Sequence, residues 1–380
     1  MTIIVAPATL FQPGTTVTED VYGDSDGAIV NTALGQTFIF TADGVTATGD
    51  ALAIDGTGRG GNDQFTVTGV VGSANNIFGD AATLNDSAQG GDDKITAAGG
   101  DQFYVIGDAG EEMHGGSQGG NDRIDVGPGG VAIGDGFFMY DSSQGGDDRL
   151  TVRAGGWGLG DAGFLFDGSR GGDDQLTGIG KNVTLVGDAK DLGVDAQGGN
   201  DRLVARGPGS LVYGDAQETM GGHGGDDYLH CQGRNSLLVG DGGDMYGEAK
   251  GGNDELSGSR FADTIVGDGL GMNDDSSGGD DVLLGGKGND TLWGDALGGG
   301  LDDARVGDDR FVFGGSGGKD TIGDFQQGHD VIDVQRIGYT GIGQLTITDD
   351  GTDSVVHFHG SNQVTVLGVT GLNAADFLFA

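Results

Sequence analysis

The feature that most constrains this chain is a period of about 27 residues that runs through most of its length. The pair Gly-Asp recurs with its glycine at 49, 79, 107, 134, 160, 187, 214, 240, 267 and 294, at intervals of 30, 28, 27, 26, 27, 27, 26, 27 and 27. Interleaved with it is Gly-Gly-(Asn or Asp)-Asp, beginning at 60, 90, 119, 145, 171, 198, 224, 251 and 278. Two motifs locked to one period define a repeat architecture, in which each unit is too small to bury a core alone and gains one only by stacking on its neighbours.

The parts of a unit decide what stacks. After each double glycine comes Asp-x-apolar, at Phe65, Ile95, Ile124, Leu150, Leu176, Leu203, Leu229, Leu256 and Leu283. A second apolar position immediately precedes each Gly-Asp: Phe78, Ile106, Ile133, Leu159, Val186, Tyr213, Val239, Val266 and Trp293. Short apolar pieces bounded by glycine suit strands and are too short for helices. The sequence therefore predicts an all-β chain, a parallel β-roll or β-solenoid whose apolar positions form continuous ladders at a coil spacing of about 4.8 Å. The loop between Gly-Asp and Gly-Gly keeps a third apolar position: Leu84, Met113, Met139, Leu165, Leu192, Met220, Met245 and Met272. It reads as a third ladder, or else as an exposed stripe that binds a partner, with Phe137, Phe138, Met139, Tyr140, Phe164, Leu165 and Phe166 as the best place for one.

Composition adds the chemistry. Of 380 residues 85 are glycine and 4 are proline; Lys plus Arg total 18 against 59 acids, a formal charge of −41. Of those acids 53 are Asp and 6 are Glu, so a short carboxylate held near the backbone is selected. Such a polyanion argues against nucleic acid as a partner and against anionic membrane surfaces. It invites cations. The single cysteine, Cys231, excludes a disulfide framework and a cysteine-based zinc cluster. No apolar run reaches the roughly 18 residues of a membrane-spanning helix. The first residues, MTIIVAPATLFQPG, lack a basic n-region and read as no cleavable secretory signal.

At 285–293 the chain reads GGKGNDTLW. This resembles the nonapeptide GGxGxDxφx (φ apolar) of RTX proteins, the hemolysin-type calcium-binding repeat family, and the 27-residue units resemble a long form of it with an inserted loop. The stretch FVFGGSGGKDTIGDFQQGHDVIDV at 311–334 and the ending LNAADFLFA resemble the C-terminal module of serralysin-type relatives. The resemblance implies calcium ions between successive turns, bound by backbone carbonyls and by the aspartate at the sixth motif position. Carried over, that column is Asp63, Asp93, Asp122, Asp148, Asp174, Asp201, Asp227, Asp254, Asp281 and Asp290, with Asp320 in the C-terminal module. The residues agree in kind, since calcium takes six to eight hard oxygen ligands and glycine-rich turns expose carbonyls. The Gly-Asp column, Asp80, Asp108, Asp135, Asp161, Asp188, Asp215, Asp241, Asp268 and Asp295, is a second candidate ligand set, or else a series of Asx-type turn caps. Asn or Asp before each residue of the first column reads as a residue that tolerates a left-handed turn.

Two like charges about 4–5 Å apart repel by about 4 kcal/mol at an effective dielectric of 20. A column of ten such carboxylates opposes a fold whose whole stability is of order 5–15 kcal/mol, so the stack calls for cations. His357 and His359 alternate on one strand and could share a transition metal, but spacing places no third ligand, and the pair reads as ordinary surface histidines. No nucleophile elbow, phosphate loop or HExxH zinc motif occurs. The expected organisation is an N-terminal β cap at 1–58, repeats at 59–310, and a C-terminal RTX-type module at 311–380 that also acts as a type I secretion signal. The expected function is a secreted, extracellular or surface-associated calcium-binding protein with multiple calcium ions, folded by calcium, in a structural, adhesive or interaction role. Its partners would be the type I secretion machinery during export, and a surface glycan or another protein afterwards. The alternative is a polysaccharide-active enzyme, a lyase or epimerase, built on the solenoid.

Overall fold

The computed structural model describes residues 46–67, 75–98, 103–273, 275–297, 306–315 and 317–380, with 3–4, 21–22, 28–29, 31, 33, 35 and 37–40 before them. Its regular structure is short strand; the described residues contain no α-helix, only three single 3-10 turns near the C-terminus. In each turn the chain passes through three strands, for example Arg149–Arg153, Trp157–Leu159 and Ala162–Leu165. Through the repeats every strand pairs in parallel with its counterpart one period away, so that Ile95 lies against Ile124, Ile124 against Leu150 and Leu150 against Leu176. The result is a β-solenoid with three long sheets. Sheet B, holding the strands after the double glycine, has 13 strands; sheet A, holding those before Gly-Asp, has 16; sheet C, holding those of the inserted loop, has 10.

The corners are made by backbone that few residues adopt. After eight of the sheet C strands comes a left-handed position, filled by Gly56, Asp86, Gly115, Asp141, Asp167, Asp195, Gly221 and Gly247, with φ between 53° and 72°, and in three of these turns the next residue, Gly116, Ser142 or Gly168, is left-handed as well. Only glycine and the short Asn and Asp adopt this conformation cheaply, hence the alternation of those types there.

The apolar ladders pack in three clusters. The ladder of Phe65 to Leu283 continues through Phe311, Ile332 and Phe377, all nearly inaccessible on the inner face of sheet B. Its partners in sheet A are Ile77, Val105, Ala132, Leu185, Val212, Leu238, Ile265 and Leu292. These stand one residue before the positions that the sequence pattern singled out. Those positions, Ile106, Ile133, Leu159, Val186, Tyr213 and Val239, point to the other side of sheet A and form a separate cluster beneath Phe137 and Leu270 of sheet C. Both faces of sheet A are therefore buried at that point, which is why two adjacent residues are apolar. The third ladder is real: Leu84, Met113, Met139, Leu165 and Leu192 are buried with the alanines at 81, 109, 162, 189 and 216. Met220 departs from it, because Thr219 takes its place against Leu192 and leaves Met220 58% exposed.

The segment 1–58 contributes parallel strands to all three sheets: Val21–Tyr22 to sheet A, Thr37–Phe40 to sheet B, and Ala28–Ile29 to sheet C. At the other end, Lys319–Ile322 and Val331–Asp333 still follow the parallel winding. Antiparallel strands Thr346–Asp349, Ser354–His357 and Gln363–Val366 then finish sheet A, and Phe377–Leu378 finishes sheet B.

Candidate functional site

The aspartates after the double glycine form one continuous column at the start of sheet B. Each accepts, through Oδ1, the backbone N–H of its counterpart in the preceding turn: Asp63 donates to Asp93, Asp93 to Asp122, and so on through Asp148, Asp174, Asp201, Asp227, Asp254 and Asp281, at 2.6–2.9 Å. The column then passes to Asp309 and Asp330, not to Asp290 and Asp320. Those two stand on the opposite edge of sheet B, at the turn into sheet A. There the N–H of Ser236 donates to Asp263, that of Asp263 to Asp290, and that of Asp290 to Asp320, at 2.9–3.0 Å. The short nonapeptide therefore decorates a different corner from the long repeat. The motif places Asp290 correctly within its own turn but does not say which corner that turn occupies.

The Gly-Asp aspartates form a second column at the turn from sheet A into sheet C. One oxygen of each accepts the N–H of the second glycine of the following Gly-Gly pair, as from Gly91 to Asp80, Gly172 to Asp161 and Gly252 to Asp241, at 2.6–2.7 Å. The same bond recurs at Asp108, Asp135, Asp188, Asp215, Asp268 and Asp295. Reaching eleven residues ahead, or twelve at Asp108 and Asp295 and ten at Asp215, it ties two corners of one turn together and is not a local Asx cap. Asp50 begins this column. Asp324 ends it by accepting the N–H groups of Gly294, Asp295 and Ala296 with its side chain.

The two columns face a shared, glycine-lined interior. A Cβ placed on Gly160 would lie less than 3 Å from Asp174 Oδ2 and from the Gly187 carbonyl oxygen. One placed on Gly171 would lie as close to Asp188 Oδ1 and Asp161 Oδ2. Over the eight turns from Asp80 to Asp281 all sixteen carboxylates are buried, and in each one oxygen has no hydrogen-bond partner in the protein. Ion pairs among the described residues lie elsewhere, at Arg153–Asp125, Lys190–Asp191, Arg310–Asp333 and His329–Asp308.

Burial pushes every one of these carboxyls above the ordinary range, and neighbouring carboxylates push most of them further. Asp174 is raised by desolvation and then by Asp161 and Asp201; Asp135 by desolvation and then by Asp148, Asp161 and Asp108. Where a neighbouring carboxyl group, Asp135 beside Asp161 and Asp241 beside Asp215, offsets burial together with the glycine N–H, the carboxyl stops lower, at about 7 for Asp161 and about 6 for Asp215. Near the C-terminal end burial holds Asp290 at about 8 and Asp295 at about 7.

The Asn and Asp residues before the first column do not occupy left-handed backbone. They form an exposed ladder of their own, in which Asp147 Oδ1 accepts the N–H of Asp173, Asp173 that of Asn200, and Asp226 that of Asn253, at 2.8–3.1 Å. His357 and His359 do not act together: His357 meets Thr348 Oγ1 at 3.3 Å, and His359 packs on the Tyr339 ring. Cys231 is fully buried in the main core, and burial raises its thiol well above the usual range. Among the described residues no three His, Cys, Asp or Glu side chains converge on a point in the manner of a preformed metal cage. No helix there is long and apolar enough to cross a membrane. The chain matches no protein-family model and no curated protein.

Proposed function

We propose that this chain is a calcium-dependent β-solenoid of RTX type, secreted and structural or adhesive in role, whose repeats order when cations enter the two aspartate columns. One observation carries the reading: sixteen buried carboxylates, each with an unpartnered oxygen, with no ion-pairing cation beside them among the described residues. An unpaired buried charge costs several kcal/mol even after relaxation, and the sum exceeds the stability of any ordinary domain. The donors are hard oxygens alone, from Asp and from carbonyls such as those of Gly107 and Gly187 that stand beside them, with no thiolate or imidazole. That chemistry suits calcium. Any one ion would draw its carboxylates from both columns or from successive turns, with carbonyls completing the shell.

The working setting follows from the affinity class. Extracellular calcium modules respond at about 0.1–1 mM, above cytosolic and near extracellular levels. The chain would cross the type I machinery unfolded and wind up outside, with 311–380 as both secretion determinant and closing cap. The test is calcium titration of chelated protein by circular dichroism and calorimetry. A cooperative gain of β signal is expected, with on the order of ten ions bound and magnesium a poor substitute. Asp174→Ala, in mid-array, should raise the calcium midpoint more than Asp63→Ala near its end. Equal β content and melting temperature with and without calcium would overturn the reading.

A further inference from the structure

The outer face of sheet B carries a charge pattern that the calcium reading does not use. Along the edge where the chain joins each strand runs the exposed row Asp173, Asn200, Asp226, Asn253 and Asp280. Along the opposite edge, at the turn into sheet A, the same five turns each present an exposed cation: Lys181, Arg206, Arg234, Arg260 and Lys287. In a chain with 18 basic residues against 59 acids, five cations on five successive turns form a concentrated ridge. None of the five has an ion-pair partner among the described residues. Like charges on successive turns repel, so the row is a cost to the isolated solenoid. Between the edges the outward positions are Gln175, Arg202, Tyr228 and Glu255, then Thr177, Val204, His230 and Ser257, in strict register. No other part of the described chain covers this face.

We propose that this face docks against the same face of a second copy, related by a twofold axis parallel to the solenoid axis. That operation sets the basic edge of each copy against the acidic edge of the other. Lys181 meets Asp173 of the partner subunit, Arg234 meets the partner's Asp226, and Lys287 meets the partner's Asp280, with Arg206 and Arg260 opposite amides. A twofold axis across the solenoid would set like rows on like and is excluded by charge. The spacing matches at every turn because both ladders have the pitch of one solenoid. Such an isologous contact is closed and self-complementary, the commonest form of assembly. The five patterned turns, about 4.8 Å apart and about nine residues wide from Asp173 to Lys181, give a footprint on the order of 600 Å² per copy, at the low end of the range for a specific interface. The proposal requires the folded repeats but not any particular ion, so failure of dimerisation is separable from failure of folding.

The experiment measures the solution mass of the full chain by light scattering in saturating calcium, with circular dichroism as the control for folding. At about 0.1 M salt the mass should be twice the 38.2 kDa of one chain. At about 1 M salt, where screening shortens to roughly 3 Å, it should fall towards that of one chain. Arg206→Glu with Arg234→Glu and Lys287→Glu should leave the β signal intact and weaken association roughly a hundred-fold or more. So should Asp173→Lys with Asp226→Lys and Asp280→Lys. Mixing these two variants should restore a dimer, since each then supplies the charge that the other lacks. A folded wild-type chain that stays monomeric at its highest soluble concentration would overturn the proposal, as would variants that dimerise normally. So would a monomer whose ridge instead retains a sulphated or uronic polysaccharide, which would assign the face to an anionic glycan.

Discussion

The central repeats and the C-terminal end share one winding but satisfy their buried acids in opposite ways. From Asp80 to Asp281 each turn buries two carboxylates and leaves an oxygen of each without a partner. Beyond residue 317 the buried acids are provided for by the protein. Asp333 is paired with Arg310 and accepts the Gln335 N–H; Asp330 accepts from Asp309 and Gln326; Asp376 accepts from Asn373 and Gln327. The apolar contribution differs too. The repeats stack aliphatic ladders of Leu, Ile, Val and Met, whereas the end packs Phe311, Phe313, Phe325, Tyr339, Phe358 and Phe377 into its core. The lesson is that need for a cation tracks unpartnered oxygens, not the number of aspartates. The closing region satisfies its buried acids from within the protein, whereas in the repeats the proposed cations would have to do so.

The largest expected effect is therefore regional. Chelation near neutral pH should leave amide protons of 319–333 and 354–366 protected while those of 103–281 exchange rapidly, by hydrogen-exchange mass spectrometry. Equal loss of protection in both regions would remove the distinction, and equal retention would remove the role of cations.

Acid should act as a partial substitute for calcium, and the sign follows from the raised carboxyls. In the unfolded chain an Asp ionises near 3.9; in the folded chain burial holds Asp215 un-ionised to about 6, Asp161 to about 7 and Asp290 to about 8, and raises Asp174 as well. Below about pH 4 the carboxyl is neutral in both states and burial carries no charge penalty. As pH rises from there, the unfolded chain releases protons that the folded chain retains, so stability falls until the folded values are passed. Chelated protein should thus be most ordered near pH 4 and lose β signal up to about pH 7–8. With calcium bound the dependence should reverse, because protons then compete with the ions. A chelated protein whose repeats gain stability from pH 4 to 8 would contradict the raised values and the comparison built on them.

Much of this was legible in the sequence, and what was not has a common cause. The 27-residue period and the placement of Ile124, Leu150 and Leu176 inside a sheet follow from spacing alone; spacing left Met113, Met139 and Leu165 as a third ladder or an exposed stripe, and the structure buries them. Spacing did not reveal that sheet A is covered on both faces, so Ile106 and Val186 were grouped with a core that belongs to Val105 and Leu185. It also could not say which corner a motif occupies. Asp290 and Asp309 follow similar glycine-rich stretches, and only strand pairing separates them. Two clues were available: Asp309 follows Gly307-Asp308 at the end of an interval of 28 residues from Asp281, whereas Asp290 follows after nine. The exposed Asn/Asp ladder was missed for a related reason. A side chain that accepts an N–H from the next turn has no signature in its own local sequence.

Single glycines offer a sharper probe of the same contrast. In Gly160→Ala the new methyl group would stand less than 3 Å from both Asp174 Oδ2 and the Gly187 carbonyl, and neither backbone nor a bonded carboxylate can retreat far. The cost should be about 3 kcal/mol or more, seen as a lower melting temperature in saturating calcium. Gly343→Ala, in the closing region, meets no atom within 4 Å, and its backbone is not left-handed. It should change stability by no more than about 0.5 kcal/mol. Similar losses for the two would mean that the glycines of the repeat serve chain flexibility and not close approach.

The smallest effect should come from Phe138, Phe164 and Phe166 of the inserted loop, which the sequence offers as part of a third ladder or else as an exposed partner stripe. Phe138 is 37% exposed on the outer side of sheet C, stacked on Phe164 at 4.9 Å, with Phe166 a further step along at 6.0 Å. Lys190 stands over the Phe164 ring at 5.4 Å, which holds that edge of the stack in contact with water. Removing Phe138 forfeits a ring stack of about 1 kcal/mol and little buried area. Removing Phe311, which is wholly buried where the repeats meet the closing region, forfeits about 3–5 kcal/mol. Melts of Phe138→Ala and Phe311→Ala at saturating calcium should therefore differ several-fold in their shift. If Phe138→Ala proves as damaging as Phe311→Ala, the loop strands are a second structural core and the repeats are less dependent on their ions than the carboxylate columns imply. If it leaves the melt nearly unchanged, those rings are free to serve as a contact surface, and stability in the repeats rests on the columns.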